Sequence, residues 1–323
     1  MPISADKLLF AFCFISCSTA AVCATHGHFT PPKLPRLTDL FPRLTFNSSF
    51  SEVFGGPTNI HTSGNGSQVD LILDKSSGSG FVSKDHYYYG FFGAAIKLPP
   101  DYTAGVVVAF YMSNADIAPH NHDEIDFELL GHEKRKEWAL QTNVYGNGSS
   151  HGREEKFYLW FDPTQDFHRY SILWNEHHIV FLVDNIPVRE INHSSAIAQV
   201  YPSKPMSVYA TIWDGSEWAT HGGKKPVNYQ YAPFQATFTE LQMEGCKWNP
   251  KIGVPSCSKN GQADHPGVVP TAEDGDDGGE KQLHVLLILS RQSKIFSAPT
   301  RMQADVIGLL KQGDIGAGGA MDG

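Results

Sequence analysis

Nowhere in its 323 residues does this chain carry an apolar run approaching the ~20 positions that a bilayer-crossing helix needs. The stretches Leu8 to Ile15 and Leu283 to Leu289 are both too short. Basic residues are also scarce: 25 Lys and Arg stand against 34 Asp and Glu, a formal net charge of -9. A chain of that sign is poorly suited to neutralising phosphates, so nucleic acid is not expected as a partner and a neutral substrate fits better. Cysteine is limited to five positions, of which Cys13, Cys17 and Cys23 crowd the start of the chain. Between residue 25 and about residue 245 there is no heptad, no internal repeat and no long 3.6-residue periodicity, which leaves coiled coils and helical arrays without support.

The first residues read MPISADKLLFAFCFISCSTAAVCATHG, with Lys7 ahead of the apolar run and small residues after it. That is the pattern of a secretory signal peptide, with cleavage expected after Ala24. Removal would leave Cys246 and Cys257, and an even pair in a secreted chain implies one disulfide. Four Asn-x-Ser tripeptides, at Asn47, Asn65, Asn147 and Asn192, are compatible with glycosylation in the same pathway. No membrane association is expected after signal cleavage.

From residue 25 to 258, short β-branched and aromatic runs recur between Gly, Pro, Asn and Asp clusters. They include Val69 to Leu73, Tyr87 to Ile96, Val106 to Met112 and Ile179 to Val183. This pattern predicts an all-β antiparallel sandwich. Asp184 and Asn185, between the Ile179 run and Ile186 to Ile191, read as a tight hairpin. From residue 259 to 323 the composition shifts through the acidic GQADHPGVVPTAEDGDDGGE to a small-residue end, read as a poorly ordered linker and tail.

The most informative stretch is HDEIDFELLG, His122 to Gly131, in which Glu124, Asp126 and Glu128 alternate with Ile125, Phe127 and Leu129. Successive strand side chains point to opposite faces, so the apolar set enters a core and the three carboxylates share the other face. Like charges at neighbouring same-face positions repel, a cost most readily accepted where the repulsion does chemistry. Two carboxyl groups flanking a glycosidic bond can cleave it, and at a separation of about 5–5.5 Å one attacks the sugar while the other protonates the leaving oxygen. Residues four apart on an ideal strand have Cα atoms about 13 Å apart, so the two glutamates must lean together on a twisted strand. Asp126 between them can hydrogen-bond the nucleophile, and the crowded charge raises the proton affinity of the acid. A metal hydrolase using His120, His122 and Asp123 is the weaker reading, because alternation sends Asp123 to the opposite face from the two histidines. No metal and no cofactor are expected.

The run from His122 to Gly131 resembles the active-site motif of the plant xyloglucan endotransglucosylase/hydrolases, retaining glycosidases on a concanavalin-like β-jelly roll with an open glucan-binding cleft. The likeness extends over roughly residues 30 to 257, through GSGFVSKDHYYYGFFGAAIKLPPDYTAGVVVAFYMSN, LQTNVYGNGSSHGREEKFYLWFDPTQDFHRYSILW, FLVDNIPVRE and IWDGSEWATHGGK. It implies Glu124 as nucleophile, Glu128 as acid/base and Asp126 as helper. It also implies glucan contacts from Tyr111, Gln141, Asn143, Arg153, Glu154, Trp213, Trp218, Ala219 and Gly223. Aromatic rings offer flat apolar faces to sugar C–H surfaces, while amides and charges fix hydroxyls. Where the family usually places a sequon after the motif, this chain has His132, and Asn147 in YGNGSS supplies one instead. That resembles the subgroup with a displaced glycosylation site, and its transglucosylase branch more than its hydrolase branch.

The resemblance implies an enzyme, secreted to the apoplast and cell wall, that cuts the β-1,4-glucan backbone of a xyloglucan donor and transfers the new end to a xyloglucan acceptor; the residues leave its oligomeric state open, with a monomer expected. Two alternatives stay open: an endohydrolase of xyloglucan or mixed-linkage glucan, and a non-catalytic glucan-binding lectin on the same sandwich. The family continues beyond its counterpart of Cys257 with an aromatic and cysteine-rich extension, and that pattern is not found here. From about Gln282 the sequence reads instead like a translated intron or a shifted frame.

Overall fold

The computed structural model describes residues 36–134, 137–149 and 153–251. Fourteen strands run through them in chain order. They are β1 (Phe50–Phe54), β2 (Ile60–Ser63), β3 (Gln68–Leu73), β4 (Ser79–Ser83), β5 (Tyr87–Lys97), β6 (Val106–Ser113) and β7 (Glu124–Leu130). After these come β8 (Ala139–Tyr145), β9 (Glu155–Tyr158), β10 (His168–Trp174), β11 (His178–Val183), β12 (Ile186–Asn192), β13 (Ser207–Asp214) and β14 (Phe234–Lys247). The α-helices among the described residues are single turns of four residues. No helix of the described residues is long and apolar enough to cross a membrane.

The strands form two seven-stranded antiparallel sheets, one ordered β1-β4-β13-β6-β7-β8-β9 and the other β12-β11-β10-β5-β14-β3-β2. Half of the neighbouring pairs are distant in sequence, as in a jelly roll. The expected runs at Val69, Tyr87, Val106 and Ile179 fall within β3, β5, β6 and β11, each lengthened by one residue or so at an end. The expected hairpin joins β11 to β12, with Asp184 at φ 50° and Asn185 at φ 63°. Two consecutive left-handed residues suit the sharp two-residue turn that matches strand twist, and Asn and Asp tolerate that backbone.

Between the sheets lies a dry aromatic and aliphatic core. The catalytic-strand candidate β7 contributes Ile125, Phe127 and Leu129, each 0% exposed. Phe127 meets Phe181 of β11 edge-to-face at 5.1 Å and Tyr170 of β10 at 5.8 Å, so the face opposite the carboxylates is bolted to the other sheet. That sheet also carries a second apolar layer on its outer side, where Leu37 and Phe41 cover Phe91, Leu173, Val180 and Leu182. The two-sided burial accounts for the near-continuous hydrophobic sequence of β5 and β11, which alternation alone does not predict.

Cys246, in β14, is disulfide-bonded. Its expected partner Cys257 lies outside the described residues, as do the expected signal peptide (1–24) and the tail (259–323). All four candidate glycosylation asparagines are exposed. Asn147 is also engaged: its side-chain amide donates to Gln199 O at 2.5 Å, and its Oδ1 accepts from Lys204 Nζ at 2.5 Å.

Candidate active site

Strands β1, β13, β6 and β7 of one sheet present side chains to an open groove of about 320 Å³ lined by Phe54, Ala109, Tyr111, Glu124, Asp126, Glu128, Thr211 and Trp213. All three motif carboxylates are therefore together, as the alternation predicts. Register explains their company. On β6, Ser113, Tyr111 and Ala109 sit opposite Glu124, Asp126 and Glu128; on β8, Tyr145, Asn143 and Gln141 do. The motif begins later as a strand than expected, because His122 and Asp123 precede β7.

Asp123 is not a free ligand. It is 1% exposed and accepts from the backbone N–H groups of Asn147, Ser203 and Lys204 and from Lys204 Nζ at 2.8 Å. It fixes the loops at the head of β7, and His122 stacks on Tyr145 at 5.3 Å. These contacts remove the hydrolase reading based on a metal at His120, His122 and Asp123.

The electrostatics separate the three carboxyls. Burial raises Glu124, opposed by a hydrogen bond from Ser113, by the charge of His122 and by a hydrogen bond with Asp126. Asp126, only 6% exposed, is driven well above the usual carboxylate range by burial, by the charges of Glu124 and Glu128, and by that same hydrogen bond. A bond that lowers Glu124 and raises Asp126 is one in which Asp126 holds the shared proton and donates it to Glu124. Glu128 is raised to about 7, first by burial and then by Glu124 and Glu154; Gln141 Nε2, donating to its Oε2 at 2.7 Å, pulls it back down. Near neutrality Glu128 is thus poised to give or take a proton, as an acid/base must, beside a Glu124 whose hydrogen bond with Asp126 favours its charged form.

This arrangement makes a pH prediction. Gln141 stabilises the ionised form of Glu128, so Gln141→Leu should raise the Glu128 pKa and move the alkaline limb of the pH–rate profile upward from about 7. A limb that stays put or moves down would show that another group sets it.

The remaining predicted contacts divide. Tyr111 lines the groove with its ring stacked on Tyr209 at 5.0 Å, and burial followed by the nearby carboxylates keeps its phenol protonated. Trp213 lines the groove and meets Trp218 at 5.9 Å. Asn143 is buried opposite Asp126, its Oδ1 accepting from Val144 N–H. Glu154 is exposed, but its charge is felt by both Asp126 and Glu128. Arg153 donates Nη1 to Val200 O at 2.8 Å.

Ala219 and Gly223 belong to the scaffold of the loop that carries Trp218. Ala219 is 4% exposed and packs with Val107 and Leu130 at the end of the groove face. Gly223 has φ +82°, and a Cβ there would lie 2.3 Å from Glu217 O. The motif's own glycine is explained similarly: a Cβ on Gly131 would lie 2.0 Å from Thr103 O. Residues not expected from sequence are Ser113, which hydrogen-bonds Glu124, and Phe54, Ala109 and Thr211 in the groove lining. Ala109 belongs to a strand already expected and Ser113 lies one residue past the expected run, so the missing information was pairing register.

Comparison with known proteins places this geometry. The description "Glycosyl hydrolases family 16" matches residues 47–231. A probable xyloglucan endotransglucosylase/hydrolase of Arabidopsis thaliana, protein 27, is 56% identical over 224 residues, covering 69% of this chain and 67% of that relative. Protein 31 of the same plant is 42% identical over 73% of this chain and 81% of its own length. The chain belongs to the xyloglucan endotransglucosylase/hydrolases of glycosyl hydrolase family 16. A laminarinase from Flavobacterium sp. UMI-01, 18% identical, has a similar fold, with a TM-score of 0.50 over 62% of this chain and 96% of that one. The segment shared with the relatives is about two thirds of their length, 67% for protein 27 and 65% for protein 28. The segment that matches the family, residues 47–231, includes β7.

Proposed function

We propose that this protein cleaves the β-1,4-glucan backbone of xyloglucan and transfers the newly made end to a second xyloglucan chain, by double displacement with retention of configuration. The observation that carries this reading is the groove in which Glu124, Asp126 and Glu128 stand together on one strand beside Tyr111 and Trp213. The substrate is taken from the names of the relatives, whose printed descriptions specify xyloglucan.

In the first step Glu124 attacks the anomeric carbon and Glu128 gives its proton to the departing glucan oxygen. Asp126, through its hydrogen bond, orients Glu124 and moderates its charge as the glycosyl ester forms and breaks. Glu128, now ionised, takes the proton of an incoming hydroxyl as that oxygen attacks the ester carbon and Glu124 leaves. A sugar hydroxyl in that place gives transfer; water gives hydrolysis. Trp213, Tyr111 and Trp218 supply flat faces for the sugar rings.

The same reading includes secretion to the apoplast with residues 1–24 removed, a Cys246–Cys257 disulfide, glycans on one or more of the four exposed asparagines, and a monomer acting on an open polymer. The test incubates the secreted protein with xyloglucan and labelled xyloglucan oligosaccharide. Label entering polymer with few new reducing ends is the expected result. New ends without label would make the protein a hydrolase, and neither signal from a folded sample would overturn the enzymatic reading.

A further inference from the structure

Just beyond the groove, two segments distant in sequence bring His132, Glu133 and His221 together, with one ligand atom from each lying within 4.8 Å of the others. His132 and Glu133 follow β7 and the motif glycine; His221 lies in the loop that carries Trp218 and Ala219. We propose that these three side chains form a divalent-metal site, suited to zinc, that ties the Trp218 loop to the end of the catalytic strand.

The donor set is the first argument. Two imidazoles and one carboxylate, leaving a fourth position open, make a recurrent zinc set. With ligands about 2.0–2.1 Å from a tetrahedral ion, neighbouring donor atoms stand about 3.3 Å apart. His221 Nε2 lies 3.1 Å from both oxygens of Glu133, and His132 Nδ1 lies 3.5 Å from Glu133 Oε2. Two edges are close to the required length, and closing the third needs a side-chain shift of at most about 1.5 Å, since all donor atoms lie within 4.8 Å of one another. The rings are set edge-to-face with centroids 5.2 Å apart. Glu137 Oε2, 3.7 Å from His132 Nδ1, adds negative charge beside the same spot, although Lys134 Nζ shares that carboxylate. Existing hydrogen bonds compete: His221 Nε2 with the two Glu133 oxygens, which an ion would replace, and the Lys134 N–H donating to His132 Nδ1 at 3.1 Å, which coordination through that nitrogen would displace.

The second argument is independent of the side chains themselves. Both histidines are neighbours of residues pinned by buried hydrogen bonds. Thr220 Oγ1 donates to Gly131 O at 2.8 Å and accepts from the Gly105 N–H at 2.8 Å. His132 N–H donates to Thr103 Oγ1, and its carbonyl accepts from the Thr103 N–H at 3.1 Å. The separation between the two segments is therefore fixed by the sandwich before any ion arrives, which lowers the ordering cost of binding. His221 is held at φ 51°, an uncommon backbone for a residue with a side chain.

The test titrates Zn²⁺ calorimetrically into the full-length protein after chelator treatment, alongside a thermal melt with and without Zn²⁺. Wild type and Glu128→Gln should each show one saturable site and a higher Tm with Zn²⁺. The double variant His132→Asn/His221→Asn should lose about 100-fold or more in affinity, since losing direct ligands exceeds the roughly 10–100-fold cost of losing an outer-shell partner. Asn is chosen because it tolerates the left-handed backbone at 221. Glu133→Gln, which leaves the Thr103 and Thr220 anchors untouched, repeats the test if the double variant does not fold. No saturable binding by wild type would overturn the proposal. So would binding that survives in a folded ligand variant, or binding that disappears in Glu128→Gln, which would put the ion on the catalytic carboxylates.

Discussion

Glu124→Gln should lose about 10⁴-fold or more in kcat for both cleavage and transfer, the scale seen when a residue of a concerted covalent machinery is removed. The amide keeps the shape of the side chain and can still meet Ser113 and Asp126, but it cannot form the glycosyl ester. Because the groove walls of Tyr111 and Trp213 are unchanged, xyloglucan should still bind, with retention on a xyloglucan affinity gel close to wild type. Activity and binding measured on one preparation separate the enzyme from a lectin on the same sandwich. If Glu124→Gln remained active, the nucleophile would be elsewhere.

Glu128→Gln should have two effects of opposite value. Transfer should fall about 10²–10⁴-fold, the usual worth of a general acid, and the alkaline limb near pH 7 should vanish with the titrating group. Stability should rise at alkaline pH. The carboxyl titrates at about 7 in the fold against 4.5 as a free group, so between these values the folded chain holds a proton that the unfolded chain has released. Folding stability therefore falls as pH rises from about 4.5 to 7 and stays lower above that, when the buried group is charged. Gln carries no charge to desolvate. Its Tm should exceed that of wild type at pH 8 by a few degrees or more, with the advantage shrinking at pH 4.5. Equal melting at pH 8 would mean that the burial of Glu128 costs the fold nothing.

Such a cost is what three carboxyls on one buried-backed strand imply, and this much was legible in the residues. Alternation in EIDFELL separates a core face from an acidic face, and Ile125, Phe127 and Leu129 are fully buried as that pattern requires. Turn chemistry at Asp184 and Asn185 was equally legible, because few residues accept two left-handed positions in succession. Strand order was not. Nothing local to β13 says that it lies between β4 and β6, and so the approach of Thr211 and Trp213 to the carboxylates appears only once the sandwich is assembled.

The substrate-contact set shows the same limit from the other side. The resemblance named Ala219 and Gly223 beside Trp218, and the fold gives them work inside the loop: one fills the space over Val107 and Leu130, and the other leaves room for Glu217 O. Asp123 is a further instance. On an alternating strand it would lie among the core side chains, yet it is solvated by three backbone N–H groups and Lys204, because β7 begins one residue later. A buried carboxylate satisfied by main-chain donors leaves no periodic trace in sequence.

Glu124, as the group that would bond to the sugar, is central to the proposed mechanism. The most direct measurement acid-quenches the protein during turnover of a xyloglucan oligosaccharide donor, digests it, and locates any covalently held sugar by mass spectrometry. A glycosyl adduct on the peptide containing Glu124, absent from Glu124→Gln and chased by added acceptor, is the predicted result. An active protein whose products have inverted configuration, or whose adduct maps to another residue, would contradict the mechanism proposed for this strand.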